Sequence, residues 1–125
     1  MSLIYENKTI KIETEDAEIP WLKLFTQYPY KEMTDVPKVI RDDIYDLLNI
    51  IEKEMIRYYK PTKINIASFG NYVPHVHWHI MARFEKDSFF PEPMWGEKQR
   101  DAYLNLPSFE VFYTNLVEKL RILNL

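Results

Sequence analysis

Alternating hydrophobic positions predict five strands along the 125-residue chain. These strands are Leu3 to Tyr5, Thr9 to Glu13, Trp21 to Thr26, Ile64 to about Ser68, and about Val73 to Phe84. The first two flank a short polar turn, and the pair Gly70-Asn71 is a turn signal between the last two. The fourth and fifth strands are therefore expected to pair in antiparallel fashion.

Two further segments have the spacing of amphipathic helices. The first has Asp35 as its predicted N-cap, Pro37 in its first turn and a stop at Pro61, while Ser108 is predicted to cap a second that ends near Asn124. Their apolar stripes are Ile40, Ile44, Leu47, Leu48, Ile51 and Met55, and Phe109, Phe112, Leu116, Leu120 and Leu123. Strands first, one inserted helix and one helix at the end predict a single α+β domain over residues 1–125.

Residues 87–107, between the last strand and the last helix, are rich in proline and aromatic side chains. Such a segment is too broken for a helix, and we expect an ordered loop that packs against the domain. Its aromatic residues Phe89, Phe90 and Trp95 could form a dimer surface, a base-stacking wall or core; packing in a dimer or core is the favoured interpretation.

Composition narrows the function classes. A formal net charge of -3 lacks the basic footprint of a protein that binds bulk nucleic acid. No run of apolar residues is long enough to span a membrane, and the N-terminus does not resemble a signal peptide. The absence of cysteine excludes disulfides and thiolate metal sites, so a cytoplasmic protein without a membrane partner is expected.

All three histidines of the chain lie in one stretch, His75-Val76-His77-Trp78-His79. Random placement would give this spacing about once in 2,600 cases. Alternation with Val76, Trp78 and Ile80 is the period of a strand, so the three imidazoles are predicted to share a half-exposed face while the apolar residues point into the core.

A row of imidazoles can supply a nucleophile, a proton donor and hydrogen bonds to an anion, which suits phosphoryl chemistry. A neutral ring nitrogen can attack phosphorus and form a covalent intermediate, while neighbouring donors stabilise the charge on the oxygens. A zinc site is the first alternative, but the ends of the row would be about 13 Å apart, so one ion would also need a ligand from another element. A nucleotide-binding or scaffold protein without turnover is the second alternative.

The segment from Asn71 to Met81 resembles the signature of the histidine triad (HIT) superfamily, in which His-x-His-x-His is followed by two apolar residues. The longer run from Lys63 to Arg83 and on through Trp95 is similar to its small bacterial branch of diadenosine tetraphosphate hydrolase-like proteins. The resemblance implies an antiparallel five-stranded sheet with two main helices and a homodimer that joins two sheets. It also implies hydrolysis or transfer at the α-phosphate of a nucleotide derivative, of the dinucleoside polyphosphate or nucleoside phosphoramidate type. The sequence does not separate these from aminoacyl or sulfo adenylates or nucleotidyl sugars, nor adenine from guanine.

The resemblance also implies roles for individual residues. His77 matches the nucleophile that becomes nucleotidylated, His75 the residue that orients it, and His79 the residue on the α-phosphate or the leaving-group side. Asn71 and Asn65 match polar positions near the phosphates, although Gly70-Asn71 equally suits a plain turn. Glu13 falls near a ribose-binding position, although a solvent-exposed carboxylate at a strand end is the stronger interpretation.

The chain also departs from the family pattern. Many members carry a further histidine near the position of Trp21, and its absence here predicts a different specificity. Ala82 stands where a proline is frequent, and the next residue, Arg83, is retained. No obligatory cofactor or metal is expected, and Mg²⁺ would enter only with a polyphosphate substrate.

Overall fold

Five strands form one antiparallel sheet in the computed structural model, which describes residues 2–125. They are β1 (Ser2–Glu6), β2 (Ile10–Thr14), β3 (Trp21–Thr26), β4 (Lys63–Ala67) and β5 (His77–Arg83). Their order in the sheet is β1-β2-β3-β5-β4, so the strand that carries the histidines is flanked by β3 and β4. The predicted α+β fold is confirmed.

Two helices, α1 (Lys38–Tyr59) and α2 (Phe109–Ile122), supply the apolar side chains that pack on one face of this sheet. The predicted stripes are buried at most positions, but Ile40 and Phe109 are only partly buried. Leu123 is exposed because α2 ends one residue before it. The side chains of Leu22, Leu24 and Ile80 meet the helices from the sheet, which leaves the opposite face free for chemistry.

The predicted start of the first helix is wrong. Pro37 occupies the N-cap position of α1, whereas Asp35 closes a short 3-10 turn, Met33–Asp35, in which its carboxylate accepts from the backbone N–H of Glu32. Proline fixes φ and suits a helix start, so the helix begins directly after Pro37. The other predicted helix ends agree with the structure: the chain turns left-handed at Lys60, before Pro61, and the Ser108 hydroxyl accepts from Val111 N.

The connection between β4 and β5 is longer than a tight hairpin. The two strands pair antiparallel as predicted, but β5 begins at His77 and not near Val73. Pro74 has no N–H for the ladder, and Val76 N bonds the carbonyl of Tyr30 instead of β4. Gly70 turns with a positive φ of 75°. Residues Ser68 to Val76 therefore form a loop that connects β4 to the histidine strand β5.

No helix among residues 2–125 is both long and apolar enough to cross a membrane.

Candidate active site

His77 is the first residue of β5 and is buried, with 9% of its surface exposed, rather than half-exposed as predicted. Its Nδ1 lies 2.7 Å from the carbonyl oxygen of His75. A carbonyl only accepts, so Nδ1 carries a proton, and in the neutral ring Nε2 keeps its lone pair. Its ring stacks on Phe25, with 4.8 Å between the centroids and 21° between the planes. His77 is thus held as a tautomer with a nucleophilic Nε2.

His79 lies two residues further along the same face of β5 and is equally buried. The indole N–H of Trp21 donates to its Nδ1 at 3.0 Å. Since indole is only a donor, Nδ1 is unprotonated and the neutral ring carries its proton on Nε2. Burial, together with His77 and Lys23, lowers the pKa of His79 to about 4. At neutral pH this ring is therefore a hydrogen-bond donor without charge.

His75 lies outside β5, so the prediction that it belongs to the strand is wrong. Its Nε2 lies 2.6 Å from the carbonyl oxygen of Thr26. Its ring lies 5.5 Å from Phe25, the ring on which His77 stacks. Its backbone carbonyl, and not its ring, contacts the His77 ring.

A cleft of about 320 Å³ lies over the two buried histidines. It is lined by Phe69, Gly70, Asn71, Tyr72, Val73, His77, His79 and Trp95. Asn71 is exposed and lines this cleft. Of the three polar residues predicted to bind substrate, Asn71, Asn65 and Glu13, it is the one that shares a cleft with the histidines.

Trp95 closes the cleft beside His79, with 5.0 Å between the ring centroids. Its indole remains 47% exposed, so Trp95 is not a core residue of this domain, and packing of this residue in a dimer stays a prediction. Phe89 and Phe90 are half-buried, in keeping with that interpretation.

The loop that carries Trp95 is ordered, as predicted, and is fixed by a buried ion pair. Arg83, the last residue of β5, donates to Asp87 with distances of 2.8 and 3.0 Å. Asp87 also accepts from three backbone N–H groups, those of Phe84, Phe89 and Phe90. The Arg83 guanidinium and these N–H groups keep the pKa of Asp87 below its ordinary value although burial acts to raise it. Arg83 finally donates to the carbonyl of Glu92, which ties the loop to the sheet three residues before Trp95.

The two remaining predicted residues lie outside the histidine cleft. The side-chain oxygen of Asn65 accepts from Arg83 at 2.8 Å, and Asn65 lines a neighbouring cleft along β4 that also reaches Trp95. Glu13 lies on β2, where its carboxylate pairs with Lys11 at 3.4 Å. The structure therefore does not bring Asn65 or Glu13 into the cleft that holds His77 and His79.

The sequence pattern does not indicate that Trp21, Phe25 and Lys23 belong to the site. All three lie on β3, with Phe25 opposite His77 and Lys23 opposite His79. Lys23 Nζ pairs with Glu15 at 2.8 Å and places a positive charge near the histidines. One signal was available: Trp21 stands where the family pattern has a further histidine, and here it provides the hydrogen bond to His79.

Among residues 2–125 no group of three or more histidine, cysteine or carboxylate side chains is arranged to hold a metal ion. A metal ion bound by His77 or His79 would therefore need ligands other than these side-chain types to complete its coordination.

The profile of the HIT domain matches residues 2–86 of the chain. A comparison with curated proteins finds no match. Among solved structures, a histidine triad protein from Bradyrhizobium japonicum is 30% identical, with a TM-score of 0.73, over 96% of this chain and 87% of that chain.

Two further solved structures share the fold. A HIT protein from Sinorhizobium meliloti is 25% identical, with a TM-score of 0.76, over 94% of this chain and 87% of that chain. The diadenosine triphosphate hydrolase of Plasmodium falciparum is 18% identical, with a TM-score of 0.62, over 97% of this chain and 77% of that chain.

Proposed function

Because the chain belongs to the histidine triad family, whose members include nucleotide hydrolases and transferases, we propose that it cleaves a nucleotide derivative at its α-phosphate through a covalent intermediate on His77. The proposed substrate class is a dinucleoside polyphosphate or a nucleoside phosphoramidate. The observation that carries the proposal is the hydrogen bond from His77 Nδ1 to the carbonyl of His75, because it leaves the Nε2 lone pair available in a cleft of ligand size.

In the first proposed step, the lone pair on Nε2 attacks the α-phosphorus. A P–N bond forms, and the bond between phosphorus and the leaving group breaks with its electron pair on that group. An amine leaving group takes up a proton from solvent and departs as ammonia. In the second step, water or another acceptor attacks phosphorus, the P–N bond breaks, and its electrons return to Nε2. The acceptor's proton passes to solvent.

A neighbouring group supports this chemistry. His79 presents a neutral Nε2–H that can donate to a non-bridging oxygen, and because its pKa is about 4 it keeps this form throughout the neutral range. Lys23 lies opposite His79 on the adjacent strand, where Glu15 offsets its charge. The step needs no metal ion, and Mg²⁺ would accompany only a polyphosphate substrate.

The proposed roles of the other residues differ in strength. Asn71 is best placed to bind the phosphates, since it shares the cleft with His77. Asn65 would act indirectly, because its side-chain oxygen is bound to Arg83. Glu13 lies two strands away from β5 on the histidine face of the sheet, and could meet only a part of the nucleotide that extends across β3.

The decisive experiment is intact-protein mass spectrometry of quenched reactions with adenosine 5′-phosphoramidate and diadenosine tetraphosphate. Wild type should gain the mass of one adenylyl group, and His77→Ala should gain none. The matched variant is His75→Ala, which removes a neighbouring imidazole and keeps the carbonyl that orients His77, so it should still form the adduct. An adduct on His77→Ala would contradict the proposal. Nucleotide binding by wild type without any adduct or turnover would favour the non-catalytic alternative.

We also infer that two copies join along β4. Strands β1 and β4 are the edges of the sheet, and an edge strand offers unpaired backbone groups to another strand. On β4 itself, Ile66 is 41% exposed. Tyr45 and Ile56 are also exposed, and they lie on the same stripe of α1 as Glu52. Glu52 lines the groove along β4. Exposed apolar groups next to an open edge are typical of a subunit interface.

A further inference from the structure

Aromatic side chains form the end of the histidine cleft beyond His79. Trp95 lies between Phe69 and Trp21, with centroid distances of 4.8 and 5.3 Å. Its plane is nearly perpendicular to both of these rings and to His79, at 73°, 81° and 79°. No ring within residues 2–125 stacks in parallel on the Trp95 indole, which is almost half exposed.

A fourth aromatic side chain, Tyr72, lies on the same cleft wall and is fully exposed. Because the Tyr72 side chain is fully exposed, it adds no buried apolar area to the stability of the domain. The loop that carries it turns at Gly70, which has a positive φ. Phe69 is also 59% exposed. Several exposed aromatic rings on one concave wall are typical of a surface that binds planar rings.

The position of this wall relative to the chemistry decides what it binds. Four rings follow one another along the cleft: Phe25, His77, His79 and Trp95. Phe25 stacks on His77, the His77 and His79 centroids are 5.1 Å apart, and Trp95 contacts His79. In a displacement at phosphorus, the group that leaves lies away from the attacking nitrogen. If His79 binds the phosphoryl oxygens, as proposed above, the group beyond it is the leaving group.

We propose that Trp95, with Phe69 and Tyr72, forms a subsite that stacks a planar aromatic ring of the leaving group. This inference rests on the proposed function and deepens it: the substrate carries a second ring system, such as a second nucleobase, on the side that departs. Asn71 at the same wall offers a side-chain amide to the polar edge of that ring.

The test separates the ring from the phosphates by using three substrates with the same adenylyl group. With attack at the α-phosphate, diadenosine tetraphosphate releases ATP, which carries a ring, adenosine 5′-tetraphosphate releases inorganic triphosphate, which carries none, and adenosine 5′-phosphoramidate releases ammonia. Wild type should prefer the first to the second by about tenfold in kcat/KM, because stacking on an aromatic side chain is lost with the ring. The preference should appear mainly in KM.

Trp95→Ala should abolish this preference, because it should lower kcat/KM for diadenosine tetraphosphate about tenfold more than for the two substrates that release no ring. Trp95→Phe should restore most of the preference. Tyr103→Ala removes an aromatic side chain that is 94% exposed and not among the residues lining the cleft, and it is the matched control that should change nothing.

The outcomes are distinguishable. The subsite is overturned if wild type has equal kcat/KM for the two tetraphosphates, or if Trp95→Ala loses activity equally with all three substrates. In either case the proposed function still stands if phosphoramidate turnover depends on His77. Loss of self-association in Trp95→Ala, measured by light scattering, assigns the wall to a subunit contact and also overturns the subsite. Absence of turnover of all three substrates by wild type removes the proposed function and the subsite with it.

Discussion

At the residue scale, the tautomers of two histidines set the chemistry of the site. A backbone carbonyl holds the proton of His77 on Nδ1, and an indole N–H holds the proton of His79 on Nε2. One ring thus offers a lone pair and the next offers a donor, although the two side chains are chemically identical. Their difference lies entirely in the partners that the fold supplies.

The Trp21 indole is expected to stabilise the neutral form of His79. Burial is the main cause of the low pKa of His79, about 4. A donor to the Nδ1 lone pair also favours the unprotonated ring, so Trp21→Phe should raise this pKa, while burial keeps it below the ordinary 6.5. The ring protonates below its pKa, so the variant should gain charge on His79 at a higher pH than wild type does. A proton-carbon NMR titration of the His79 ring measures both midpoints, with His79→Gln assigning the resonance. A wild-type midpoint near 6.5, or no rise in the variant, would refute this account.

The sequence predicts much of this site but not its tautomers. Spacing alone places His77 and His79 on one face, because both belong to the same strand. It cannot show that His75 turns toward Thr26, since that depends on a backbone carbonyl 49 positions away in the chain. The burial of both rings has the same origin: Phe25 and Trp95, which flank them, come from β3 and from the loop after β5.

At the scale of elements, local periodicity predicts the strands and helices, while their ends depend on contacts that periodicity does not contain. The start of β5 moves to His77 because Val76 bonds Tyr30 instead of β4. The loop after β5 is the clearest case. Its prolines predict a break in regular structure, but its order comes from Asp87 and Arg83, a buried pair that hydropathy patterns do not reveal.

The Arg83–Asp87 pair is expected to stabilise both the domain and the loop that carries Trp95. Asp87→Ala would leave the Arg83 guanidinium, which is 1% exposed, without its carboxylate. Loss of one partner of a buried pair costs about 3–5 kcal/mol, so we expect a decrease of that size in the free energy of unfolding in urea. Hydrogen exchange should also rise in residues 88–96, whose backbone groups Asp87 and Arg83 bind.

The matched control for this prediction is Asp101→Ala. It removes an equivalent pair with Lys98 at the surface, where both side chains are mostly exposed, and should leave the unfolding curve unchanged. Equal stability of Asp87→Ala and wild type would show that the remaining partners of Arg83, Asn65 and Glu92, are sufficient to hold it.

At the scale of the whole molecule, the sheet has helices on one face and the histidine cleft on the other, and its two edges, β1 and β4, are open to pairing with another strand. The edge at β4 adjoins both the cleft and α1, because Phe69 and Trp95 line the histidine cleft and also the groove along β4. A dimer interface along β4 would place the histidine clefts of both subunits close to that interface.

This arrangement predicts a dimer that one charge on β4 disrupts. Ile66→Glu puts a carboxylate on an exposed apolar side chain at that edge, where burial against a partner would be costly, so the variant should be a monomer by light scattering at micromolar concentration. Leu3→Glu is the matched control, because Leu3 is 50% exposed on β1, the opposite edge, and its variant should remain a dimer. A monomeric wild type would exclude the dimer. A dimer that only Leu3→Glu disrupts would move the interface to β1 and separate it from the cleft.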